Sequence, residues 1–69
     1  MQKQFKILEK NILQSKMKQD DFIIYDKPFM NAYAEKMDGT PLNVSIDNNK
    51  ITLTEPLVED TLIKIIIGG

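Results

Sequence analysis

Phe29-Met30-Asn31-Ala32-Tyr33-Ala34-Glu35-Lys36-Met37 is the stretch on which the fold turns. As a helix it would start at Pro28, whose missing N–H costs nothing at a first helical position. Phe29, Tyr33 and Met37 would share one face, Met30 and Ala34 would flank it, and Gly39 would close the end. As a strand the same residues lead into Asp38-Gly39, a favoured type I′ hairpin turn. Ala32, Ala34 and Lys36 make a weak second face for that strand. Both readings stay open on the residues alone.

Downstream the pattern is plainer. Leu42, Val44 and Ile46 alternate with Asn43, Ser45 and Asp47, as a half-buried strand requires. Asp47-Asn48-Asn49-Lys50 supplies residues that tolerate left-handed geometry, and Ile51 and Leu53 then alternate with Thr52 and Thr54. These residues predict a β-hairpin. Glu55-Pro56-Leu57-Val58-Glu59-Asp60 reads as a loop, and Thr61 opens the last strand. In that strand Ile63, Ile65 and Ile67 point one way, while Leu62 and Ile66 point the other with Lys64 between them. A strand apolar on both faces belongs at the centre of a sheet or under another chain.

Upstream, Phe22-Ile23-Ile24-Tyr25 reads as a short strand ended by Asp26-Lys27-Pro28, because proline cannot donate to a ladder. Residues 3–18 are rich in Lys, Gln, Glu, Leu and Met, which favour helix. Phe5, Leu8 and Ile12 recur at helical spacing, continued by Leu13 and Met17. A helix is predicted there, with a first strand over Gln4 to Leu8 as the competing reading. The expected fold is therefore α+β: a basic N-terminal helix over 1–19, then a small, mainly antiparallel β domain over 20–69 whose last strand is central or covered. A β-grasp, ubiquitin-like fold is the alternative.

Composition limits what such a chain can do. At 69 residues it forms a single domain with a modest core, and with no Cys and no His it has neither disulfide nor zinc to staple it. The same absences remove two common nucleophile and general-base solutions, so no enzyme is expected, and no cofactor or metal. Asp20, Asp21 and Asp26, or Asp47, Glu59 and Asp60, lack the spacing of a calcium loop and read as solvated turn acids. All nine basic residues are lysines. Residues 1–19 carry five of them (Lys3, Lys6, Lys10, Lys16, Lys18) against Glu9, a net +4, and the remainder carries −5. With no arginine and only Phe5 nearby, that basic segment fits a solvated or docking face, and specific readout of nucleic-acid bases is not expected. No apolar run approaches the ~20 residues of a membrane helix, and no signal-peptide layout is present.

Two resemblances bear on function. From Val44 to Gly69 the order of strand, Asn-rich turn, strand, Pro56-Leu57 loop, last strand and Gly68-Gly69 resembles the ubiquitin-like sulfur carriers of thiamine and molybdopterin synthesis. That resemblance implies a β-grasp fold and a C-terminal Gly69 carboxylate open to adenylation and sulfur transfer. In the family several residues separate strand from glycines, whereas here they abut Ile67. Asp38-Gly39-Thr40-Pro41-Leu42, Ile51-Thr52-Leu53-Thr54 and Asp60-Thr61-Leu62-Ile63-Lys64 are similar to small β-modules of phage tail and capsid accessory proteins. That resemblance implies a virion component, in the particle or in the cytoplasm of an infected bacterium, with other protein subunits as partners in an oligomer or larger assembly. It is the expectation we follow, a structural or interaction subunit whose interface uses Leu62, Ile63, Ile65, Ile66, Ile67, Phe5, Leu8 and Ile12. A cytoplasmic carrier acting through Gly68 and Gly69 is the alternative.

Overall fold

The computed structural model describes the backbone of residues 6–9 and 11–68 and the side chains of 11–68. All the regular structure there is β: β1 (Lys6–Glu9), β2 (Ile12–Met17), β3 (Phe22–Ile24), β4 (Asn31–Lys36), β5 (Pro41–Leu42), β6 (Val44–Asp47), β7 (Lys50–Leu53) and β8 (Thr61–Gly68). The strands form two antiparallel sheets, one ordered β1-β2-β8-β4-β5 and the other β3-β7-β6.

The α+β expectation is thus corrected to all-β. The predicted N-terminal helix is replaced by β1 and β2, with 3–5 and 10 outside the described residues. Leu13, Ser15 and Met17 all point inward, a period of two. The apolar pair Ile12-Leu13 straddles the two faces and imitates a helical stripe. Pairing of the whole strand with β8, from Ile12↔Ile66 to Met17↔Thr61, overrides the helix preference of Lys, Gln, Leu and Met. Residues 31–36 resolve as a strand too, so Pro28 begins no helix. The β-grasp alternative falls with them, since no helix is present among the described residues to lie across the sheet.

β8 is the central strand of its sheet, flanked by β2 and β4 along most of its length. One inward row runs Leu13–Ile65–Ala34–Leu42 across four strands, and every member is buried. Ala32 and Ala34 pair with Ile67 and Ile65, so small residues stand beside large ones in the layer. The second sheet contributes Ile23, Ile51 and Leu53, and the two inner faces share one core closed by Tyr25. Each fully buried Leu or Ile there contributes about 1.5–3 kcal/mol relative to exposure. Ser15 is the buried polar residue of the core, and among the described residues no buried side-chain polar atom lacks a partner.

The chain crosses between the sheets four times, and two of the crossings are short corners. The turn after β2 places Asp20 at φ 74° and bonds Asp20 N–H to Leu53 O (2.8 Å) and Leu53 N–H to Asp21 O (2.8 Å). The second corner is Asn43, which breaks the strand expected over Leu42, Val44 and Ile46 into β5 and β6. Asn43 N–H donates to Glu55 Oε1 at 2.8 Å, and its carbonyl accepts from Thr54 and Glu55 N–H at 2.9 and 3.1 Å. Past that corner Ile46, though opposite buried Ile51, lies on an edge strand and stays 43% exposed.

The hairpins follow local chemistry. β6 and β7 are joined through Asn48-Asn49, with Asn48 at φ 57° and Asp47 paired to Lys50. The β4–β5 turn is not type I′, because Gly39 alone among its residues has a positive φ (94°). Gly39 N–H donates to Lys36 O (2.9 Å) and Lys36 N–H to Thr40 O (2.8 Å), a three-residue loop with glycine in the left-handed position.

Candidate interaction surface

The faces of β8 separate the residues expected at an interface. Ile63, Ile65 and Ile67 are interior and build the core, so they are corrected from interface to core residues. Leu62 and Ile66 lie on the opposite face, as does Ile12 on the neighbouring strand. Leu8 falls in β1 and Phe5 lies outside the described residues. Gly68 is the last residue of β8, paired with Asn31, and its carbonyl accepts from Met30 N–H at 2.8 Å. A Cβ at that position would meet the Asn31 side-chain oxygen. Gly69 lies outside the described residues.

Register sets out the outward face in rows. Ile12, Ile66 and Tyr33 stand abreast, and Gln14, Lys64 and Glu35 form the next row. Leu62, opposite Lys16, continues the face and is 40% exposed. Tyr33, 53% exposed, and Met37 enlarge the apolar area and were not singled out as interface residues from the sequence. The alternation of Asn31, Tyr33 and Glu35 with Ala32 and Ala34 carried that signal, weakened because alanine reads as neither core nor surface.

Two pairs of side chains on this face are joined within it. Lys64 Nζ lies 3.4 Å from Glu35 Oε1, and Gln14 Nε2 donates to Met37 Sδ at 3.4 Å. Burying the face under a partner would leave each charge of the Lys64–Glu35 pair with its counter-ion, which offsets part of the cost of desolvating it. By contrast Met30 (84% exposed) and Val58 (89%) are single apolar side chains in loops, which need no partner.

Among the described residues no group of three or more acids is placed to hold a metal ion. The Asp38 carboxyl is held below the ordinary 3.8. The Thr40 N–H (3.0 Å) is the main cause and the Thr40 hydroxyl (2.8 Å) adds to it, both donating to Asp38 Oδ1. This is a turn lock, remote in kind from an acid–base site. Among the described residues no helix is long and apolar enough to cross a membrane. No family model, curated protein or solved structure matches the chain.

Proposed function

We propose that the protein is a non-enzymatic structural or interaction subunit that works through oligomeric contacts of the outer face of its five-stranded sheet. The observation that carries the reading is the outward row Ile12–Ile66–Tyr33, its two isoleucines half-buried and Tyr33 half exposed, extended by the exposed Leu62 and Met37. A sheet whose inner face fills the core and whose outer face is also apolar suits burial against another chain. Supporting it are a chain with no Cys or His to staple it and the Lys64–Glu35 and Gln14–Met37 pairs on that face. A virion setting in a phage is proposed on the resemblance at 38–42, 51–54 and 60–64 alone. The carrier reading is not taken further, because it depends on a β-grasp fold and Gly68 is held in the sheet.

Sedimentation velocity across a concentration series tests the proposal. The expected result is reversible association of the wild type that Ile66→Lys abolishes while the circular dichroism spectrum stays that of a β protein. A monomer at every concentration would overturn it.

A further inference from the structure

A second surface is built by different residues and stands independently of the outer sheet face. Where β3 ends, Asp26-Lys27-Pro28-Phe29 leaves the sheet and runs beside the Asn48-Asn49 turn, enclosing an open cleft of about 340 Å³. Its frame is fixed to the core. Tyr25, almost fully buried, donates its N–H to Asn49 O at 2.8 Å and meets the Phe29 ring edge-on, with centroids 5.8 Å apart at 74°. The cleft's polar side chains are unspent: the Asp26 carboxylate, the Lys27 ammonium and both carboxamides bond to no other described residue.

The geometry points to a binding site for a neutral monosaccharide unit. The two carboxamides lining the cleft offer donors and acceptors, and Asp26 adds two acceptors, the mix that neighbouring sugar hydroxyls require. Phe29 and Pro28 supply the apolar patch against which the C–H face of a pyranose ring can rest. The volume falls at the lower end of small-ligand sites. A phosphorylated ligand fits poorly, because the single ammonium stands beside a carboxylate and no guanidinium is available. A purely apolar ligand would find only Pro28 and Phe29 to pack on, since the other four lining residues are polar.

Titration of ¹⁵N-labelled full-length protein with glucose, galactose and N-acetylglucosamine, followed by amide chemical shifts, tests the site. At least one sugar is expected to give saturable shifts confined to residues 26–29 and 48–49, with a Kd of about 1–10 mM for so open a cleft. Asp26→Ala and Asn49→Ala, each with an otherwise superimposable spectrum, should weaken that binding roughly tenfold or more, about 1.4 kcal/mol. The inference is overturned if none of the three sugars gives a localised, saturable shift by about 100 mM. It is equally overturned if neither variant weakens the response, or if free glycine shifts these amides where the sugars do not.

Discussion

Tyr33 of β4 stands directly opposite Ile66 of β8 on the outward face of the five-stranded sheet, and Tyr33 remains half exposed there. One residue along β8, Ile65 pairs with Ala34 on the inward face and is fully buried. Consecutive isoleucines of a central strand thus face opposite ways, one filling the core and the other half-buried on the outward face.

Substitutions on the two faces should separate accordingly. Ile65→Ala removes a fully buried side chain and is expected to cost about 2–5 kcal/mol, enough to unfold much of a domain this small. Leu62→Ala, on the outer face, should change the stability of the isolated chain by about 0.5 kcal/mol or less. Urea denaturation of both variants checks the contrast, and equal losses would refute the assignment of faces.

Gly39→Ala isolates backbone strain from packing. Nothing lies within 4 Å of a Cβ built at Gly39, so there is room for the methyl group, but φ is 94°. The expected loss is about 1–2 kcal/mol, arising from the backbone alone. Thermal denaturation measures it, and an unchanged midpoint would mean that the β4–β5 turn adopts another conformation.

The Asn43 corner depends on Glu55. Its carboxylate accepts from Asn43 N–H at 2.8 Å at the point where the chain passes from one sheet to the other. Glu55→Ala should cost about 1 kcal/mol and Glu55→Gln less, because the amide oxygen can still accept. Amide exchange at Asn43, compared between the two variants, distinguishes loss of this bond from a general loss of stability.

Asp38 gives a pH-dependent contribution of known sign. Its folded-state pKa is depressed by the Thr40 N–H and hydroxyl. The stabilisation is therefore fully present above the unfolded value and is lost as pH falls through the lower, folded value. The stability gap between wild type and Asp38→Asn should narrow as the medium is acidified below the ordinary 3.8. A gap that widens on acidification would contradict the turn lock.

Much of the β architecture was legible in the sequence. The hairpin through Asn48-Asn49 and the two-faced final strand follow from alternation and turn residues that no competing pattern imitates. The N-terminal strands were not. Ser15 occupies an inward position and Ile12 an outward one, so the stripe that distinguishes strand from helix is blurred on both faces. Residues 31–36 were ambiguous because Ala32 and Ala34 are inward by virtue of the isoleucines opposite them, a relation that exists only once β8 is in place. The residues of the outward face were half legible for a related reason. Periodicity separates Ile63, Ile65 and Ile67 from Leu62 and Ile66, but only the second sheet decides which set is core. The Asp26–Phe29 cleft was invisible, since it needs two loops brought together across the fold.

The Ile12–Ile66–Tyr33 face is proposed to join copies of this chain. Light scattering of the eluting protein over a range of loading concentrations, on wild type and on the double variant Tyr33→Lys, Ile66→Lys, decides whether it does. The wild type should elute as a defined multiple of 7.9 kDa and the folded double variant as a single 7.9 kDa chain. A wild type that stays monomeric, or an oligomer that both substitutions leave intact, would contradict the claim.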